Sequence, residues 1–427
     1  MNLDFNTRKC CKRFAKRKRF REGKMMSGFS GYLCDFMKKN DISIADLSRE
    51  TNIDRTVLYR YVKGSRLPSD VKIVFRIADS LQMSVSEGRH LVEEYDKLSL
   101  GEDIVYSYRN ISKLLQSLSR TNKEKSEQKC WQVVRELKMD APVIELNTKE
   151  EIAACIMDLF QYINEGNQAI PKMYLIMQPV YKEIQKFLFY IFQQSDISVE
   201  QIVCLERNVN QSNINMQIFQ GILPLCFEMS DYKIFYYYDS LSNHINKMSH
   251  MPNLVILGDY VIQFDYDMKH GVIVCDNAYV EAMHKHYSKM RLNTQELIIN
   301  SLEADWNYFG SSYNNVCLSA KLLEPASFLP FEREMIIKHM VDMARTKHIS
   351  YRFVSDESNL PVDIQLYWQK SQKSFGINRI TDNRIMQVAI EEPSVCQMFQ
   401  LYLVYMEKKG RLYSGEKSLH FLEGMLV

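Results

Sequence analysis

The sequence has no CxxC pair, and none of its ten cysteines stands with a histidine at zinc-ligand spacing. The cysteines are scattered singly, apart from the adjacent Cys10 and Cys11. This argues against a disulfide framework and suits reduced thiols in a cytosolic protein. No apolar run approaches the ~20 residues that a membrane helix needs. The longest candidate, Phe187 to Phe192, is short and stands between Lys186 and Gln193. The basic amino-terminal run is not followed by an apolar stretch, so it does not read as a signal peptide. Net charge is only +2, so bulk electrostatics name no partner and any nucleic-acid signal must be local. Catalytic signatures are missing too: there is no GxSxG, no P-loop, no GxGxxG after a strand and no HExxH. His284 and His286 are two apart on a predicted helix and so point to different faces, while His339 and His348 lack ligand companions. These absences predict a cytoplasmic protein that is not an enzyme, with no cofactor, no metal and no membrane segment.

What is present is ample chain: 427 residues, 46% hydrophobic, enough for two or three domains. Residues 1–28 form a basic arm in which 8–24 carry ten Lys/Arg against Glu22. Three readings of the arm stay open: it grips phosphates, it is disordered and incidental, or it lies upstream of a true start at Met25 or Met26. The third follows from "REGKMM", which a purine-rich bacterial ribosome-binding site before two ATG codons would encode. Abundant Lys, Ile, Asn and Tyr suit an AT-rich genome.

Residues 29–118 read as short, well-punctuated helices. Gly31 to Lys39 is the first. Ser43 and Asp46 form a capping box for the second, which runs to Glu50. Asn52 sits where a left-handed residue is wanted. Asp54 caps the third helix, which ends at Gly64. Pro68 and Ser69 open a fourth, and Ser84 with Glu87 caps a fifth that runs to about Leu98. A sixth follows Gly101, with Ile104, Ile111, Leu114, Leu115 and Leu118 at helical spacing. In the third helix Arg55, Thr56, Tyr59, Arg60 and Lys63 fall within one arc, opposite Leu58 and Tyr61. Two short helices joined by a tight turn, the second basic on its outer face, make a helix-turn-helix. The bland alternative is a bundle whose polar face is merely solvated.

Residues 31–98, with the run "DISIADLSRETNIDRTVLYRYVKGSRLPSDVKIVFRIADSLQMSVSE", resemble the phage-repressor (Cro-like, XRE) helix-turn-helix family. The matching positions are Ser43, Ile53, Tyr61, Gly64, Pro68 and the phrase "IADSLQMSVS". Two positions depart from the pattern: Asn52 replaces a common turn glycine, and Thr51 replaces an apolar residue. The resemblance implies a transcriptional regulator that binds double-stranded DNA, usually as a homodimer. It places base contacts on Arg55, Thr56 and Arg60, and phosphate contacts on Ser43, Tyr59, Lys63 and Arg66.

Residues 119–130 begin with the polar "SRTNKEKSEQK" and read as a linker. Beyond it, short apolar strands alternate with helices, and the pattern repeats loosely from about 293. We expect a multidomain protein: an all-α amino-terminal domain, then a larger α/β or α+β region divided as 131–292 and 293–427. Strands are predicted at 172–178, 201–206, 232–238, 253–257, 260–266, 271–275, 350–354, 363–369 and 385–390. Helices are predicted at 148–162, 180–193, 277–290, 332–345, 393–408 and 415–425. Segment 172–290 is similar in rhythm to the phospholipase-D-like half-domain of some regulators, but the chain has no His-x-Lys pair, so that family's catalysis is not implied. The aromatic run 235–239 puts Phe235 and Tyr237 on one strand face and Tyr236 and Tyr238 on the other. A ligand pocket and plain core packing both fit that run. The region is expected to dimerise, to sense a small-molecule or peptide effector, or both; a purely partner-binding tail and an enzyme of unknown type with a DNA-binding head are the alternatives.

Overall fold

The computed structural model describes residues 28–119, 141–165, 172–178, 188, 197–207, 212–228, 231–240, 251–301, 315–324, 330–346, 349–355, 360–369, 374–380 and 385–426. The basic arm, the linker after Ser119 and the helix expected at 180–193 (Leu188 apart) lie outside them.

Contacts divide the chain after Tyr108. Among its described residues the amino-terminal unit holds helices and no strand: α1 (Phe29–Lys39), α2 (Ile44–Thr51), α3 (Arg55–Lys63), α4 (Val71–Ser80), α5 (Val85–Leu100) and the first part of α6 (Glu102–Leu118). Each of α1 to α5 contributes apolar residues to one core. Phe29 and Leu33 come from α1, Leu47 from α2, Leu58 and Tyr61 from α3, Val74 and Ile77 from α4, and Leu91 from α5. Burying each such side chain contributes ~1.5–3 kcal/mol, which is what holds helices this short in place.

The punctuation is as expected at most ends. Asn52 is left-handed at φ 52°, and Gly64 at φ 73°. Ser84 and Glu87 form a full capping box, each side chain accepting the other's backbone N–H. The Ser43 box is only half made. The Ser43 hydroxyl accepts the Asp46 N–H at 3.1 Å, but the Asp46 carboxylate takes the Ser43 hydroxyl proton rather than a backbone N–H. Aspartate is one methylene shorter than the glutamate that completes the other box. The fourth helix opens at Asp70, not at Pro68 or Ser69: the Asp70 carboxylate accepts from Lys72 N–H at 2.9 Å.

The contact boundary lies inside α6 rather than at its end. Beyond it, Ser119 Oγ donates to Asp363 at 2.7 Å, and the Leu118 carbonyl accepts from Arg379 at 3.5 Å. Arg379 is buried, pairs with Glu228 at 2.9 Å and donates to Phe227 O at 3.0 Å. The last turns of α6 therefore pack as part of the carboxy-terminal unit.

That unit is α/β and holds two mixed sheets. The first runs β1-β7-β6-β5-β2-β3-β4-β8 and the second β11-β10-β12-β13-β14-β9. In the first sheet, β2 (Lys172–Ile176) lies parallel to β3 (Ser198–Leu205) and antiparallel to β5 (Asn253–Leu257). β5, β6 (Tyr260–Phe264) and β7 (Gly271–Val274) form a meander, and α9 (Asn277–Arg291) follows. The second sheet repeats this arrangement. There β10 (Asn315–Ser319) lies parallel to β11 (Ser350–Val354) and antiparallel to β12 (Ile364–Trp368). β12, β13 (Phe375–Ile380) and β14 (Ile385–Ile390) form the meander, and α11 (Pro393–Lys408) follows. Even the caps correspond: Asp276 opens α9 and Glu392 opens α11. The loose repeat in the sequence is thus a duplicated five-strand-plus-helix unit.

The copies differ at one edge. In the first, α8 (Ser212–Cys226) leads into β4 (Tyr232–Tyr238), which adds parallel to β3. In the second, the chain after α11 covers β11 instead, with Val354 bridging Leu412 and Tyr413 N–H donating to Phe353 O at 2.8 Å. Both devices hide a strand edge that would otherwise be free to pair with another chain. Flanking strands β1 (Val143–Leu146), β8 (Gln295–Glu296) and β9 (Ile298–Ser301), and helices α7 (Lys149–Glu165), α10 (Pro330–Arg345) and α12 (Gly415–Gly424), complete the unit. The expected division at 292 falls close to the switch between sheets, yet contacts group both sheets together. Asn215 Nδ2, from the first copy, donates to Ser394 Oγ of the second at 3.1 Å.

Candidate nucleic-acid interface

The turn between α2 and α3 is built by small polar side chains. Ser48 Oγ donates to the Ile53 carbonyl at 2.7 Å, which fastens the end of the turn to α2. Thr51, the departure from the apolar pattern, is buried, and its hydroxyl donates to the Leu47 carbonyl at 2.6 Å. A threonine is tolerated there because its one polar atom is satisfied within its own helix. Neither role was read from the sequence; the four-residue spacing of Leu47 and Thr51 was the available signal.

Asp54 then starts α3. Its carboxylate accepts from Thr56 N–H at 2.8 Å and Val57 N–H at 3.2 Å. These bonds, with the Thr56 hydroxyl, hold the carboxyl below the usual aspartate range. Leu58 and Tyr61 anchor the inner face. At 100° per residue the outer face spans about 140°. On it Arg55, Thr56, Arg60 and Lys63 are exposed and Tyr59 is half-buried. The Lys63 ammonium lies 5.6 Å from the Tyr59 ring centroid. Arg66 is exposed just beyond, where its N–H donates to Arg60 O at 3.3 Å. Six of the seven sequence-predicted residues therefore lie on or beside α3. Ser43 stands apart at the start of α2, half-buried, with its hydroxyl committed to Asp46.

The electrostatics of this face are uneven. From Asp54 to Lys72 the only acidic residues are Asp54 and Asp70, and both spend their carboxylates as helix caps. Among the described residues, no carboxylate pairs with Arg55, Arg60, Lys63 or Arg66, whereas Arg49 on α2 is held by Asp46. A nine-residue helix is about 13 Å long, and the major groove of B-DNA is about 12 Å wide. The exposed guanidinium groups have the geometry for guanine O6 and N7, and for phosphates.

Residues 33–87 match the family model of the Cro/C1-type HTH DNA-binding domain. No curated protein sequence matches the chain. Among solved structures, the chain is similar to TrmBL2, described as an archaeal chromatin protein with a novel mode of DNA binding. That match covers 67% of this chain and 99% of that one, at 6% identity and a TM-score of 0.23. It is also similar to the polyphosphate kinase of Porphyromonas gingivalis, over 62% of this chain and 47% of that one, at 8% identity and a TM-score of 0.24. No helix among the described residues is long and apolar enough to cross a membrane.

Proposed function

We propose that the chain is a cytoplasmic, sequence-specific transcriptional regulator of the XRE type, acting as a homodimer on near-palindromic duplex DNA. The observation that carries this reading is the outer face of α3: unpaired basic side chains on a helix whose neighbouring acids are consumed by caps. Arg55, Thr56 and Arg60 read base edges. Tyr59, Lys63 and Arg66 hold phosphates. Ser43 sits at the start of α2 with its hydroxyl committed to Asp46, and so contributes through the amino end of that helix. One such module reads few base pairs, which is why two copies on half-sites ~34 Å apart, or a multiple of that, suit it.

The carboxy-terminal unit supplies dimerisation and signal input rather than catalysis. An effector that prefers one dimer geometry shifts the spacing of the two α3 helices and so the operator affinity. Footprinting the full chain on DNA flanking its own gene, at graded salt, tests the reading. Protection of a discrete site with a steep salt dependence supports it; uniform or absent protection overturns it.

A further inference from the structure

We propose that a cavity at the carboxyl end of β4 binds a small molecule consisting of a flat ring and one anionic group, up to the size of a nucleoside monophosphate. The proposal rests on the reading that the carboxy-terminal unit receives a signal, and it names where and of what chemistry. The cavity has a volume of about 730 Å³, within the range of small-molecule sites.

Its position follows from topology. β2, β3 and β4 run parallel, so their carboxyl ends share one rim, where ligands of such sheets collect. β4 has no counterpart among the described residues of the second copy, and the cavity is built on it. The two faces of β4 have parted. Phe235 is buried in the core under α9, with the Arg291 guanidinium 3.1 Å from its ring centroid. Tyr236 and Tyr238 meet edge to face on the other side at 5.3 Å.

The lining selects a chemistry. The Tyr236 hydroxyl donates to Gln295 Oε1 at 2.9 Å, and the Tyr238 hydroxyl to Glu392 Oε1 at 2.7 Å. With both protons committed, the rings offer flat apolar surface to a ligand rather than acid chemistry. Met290 adds a soft, adaptable wall. Arg207 lies on the rim, 5.6 Å from the Tyr238 ring centroid, and no carboxylate pairs with it among the described residues. Gln295 has spent its oxygen and keeps its Nε2 as a donor. Asn293 donates Nδ2 to the Lys289 carbonyl at 3.3 Å and keeps its oxygen as an acceptor. Ring surface, one free guanidinium, one amide donor and one amide acceptor suit a planar ring with a carboxylate or phosphate. Asp239 and His286 also line the cavity; the Asp239 Oδ1 accepts from the Ser240 N–H at 2.8 Å, so that acid serves the backbone just after β4 and Arg207 is the group left to meet an anion. An occupant would also touch Tyr238, whose hydroxyl joins the first copy to the cap of α11 in the second.

The test uses the full chain, with thermal shift and ligand-observed NMR to measure affinity. The probes are adenosine 5′-monophosphate and benzoate, their neutral counterparts adenosine and benzamide, and inorganic phosphate as the ringless anion. We expect at least one ring-bearing anion to bind saturably, and its neutral counterpart and inorganic phosphate to bind at least about tenfold more weakly. Which of the two anions binds separates a nucleotide from an aromatic acid. Arg207→Gln should weaken that binding about tenfold, and Gln295→Leu should weaken it independently. Equal binding of the neutral counterpart, indifference to both substitutions, or no binding of either anion overturns the proposal. DNA affinity measured with and without the bound probe separates the two readings. A change supports signal input. Saturable, Arg207-dependent binding with unchanged DNA affinity keeps the site and overturns only its signalling role.

Discussion

Gly64 lies against Ser30: a Cβ on residue 64 would come within 3.2 Å of the Ser30 Oγ. The same glycine ends α3 at φ 73°, so the close of α3 and its seat on α1 depend on one residue without a side chain. Gly64→Ala should destabilise the amino-terminal unit by about 1–2 kcal/mol, from the left-handed backbone alone. Faster amide hydrogen exchange in α1 and α3 would register it; unchanged exchange would contradict it.

The Asp54 cap makes a pH prediction. Its carboxyl is held below the ordinary aspartate range, first by the Thr56 N–H. Its contribution is therefore complete above the unfolded-state value of about 4 and is lost as the pH falls through the lower folded-state value. Asp54→Asn keeps a cap oxygen but cannot titrate. The gap in unfolding midpoint between wild type and Asp54→Asn should be constant near neutral pH and close as the solution is acidified. A gap that widens on acidification would reverse the sign.

Lys63 and Arg66 carry phosphate contacts in the proposed reading. Lys63→Ala or Arg66→Ala should weaken binding to all duplexes alike, and each should reduce the slope of log affinity against log salt by about 1. Anisotropy titrations at several salt concentrations provide the number. A loss confined to one sequence would move the residue to the base-reading set.

The buried Arg379 pairs with the partly exposed Glu228 at 2.9 Å and also donates to the Leu118 and Phe227 carbonyls. Glu228→Gln leaves the guanidinium uncompensated and should cost about 3–5 kcal/mol in urea unfolding of the full chain. Arg379→Met combined with Glu228→Gln should recover part of the loss, because no buried charge then remains. A double variant worse than either single one would contradict this.

Much of the amino-terminal unit was legible because its signals are local. Asn52, Asp54, Gly64 and the Ser84–Glu87 box each act within five residues, and apolar spacing sets the inward faces. What escaped was either tertiary or chemically similar to its neighbours. Asp70 lies one residue past Ser69, and both are good caps; only the backbone direction decides. The strands at 232–238, 253–257, 350–354 and 385–390 were readable as apolar runs between breakers. Phe375–Ile380 was missed because Gly376, Asn378 and Arg379 interrupt the apolar pattern, and their burial depends on partners far along the chain. The helix Ser212–Cys226 was missed because it is apolar on most sides, which blurs its period. Nothing local pairs Tyr238 with Glu392 or places Arg207 beside Tyr238; the parallel pairing of β3 with β4 does the second, and the packing of the two copies does the first.

The most direct measurement compares the full chain with Arg55→Ala and Arg60→Ala variants on a duplex enriched from a random library by the wild type, against a scrambled duplex of equal length. Each substitution should lower specific affinity by about 1–3 kcal/mol, relax preference at one base position and leave binding to the scrambled duplex nearly unchanged. If both variants keep the wild-type ratio of specific to scrambled binding, α3 does not read the groove.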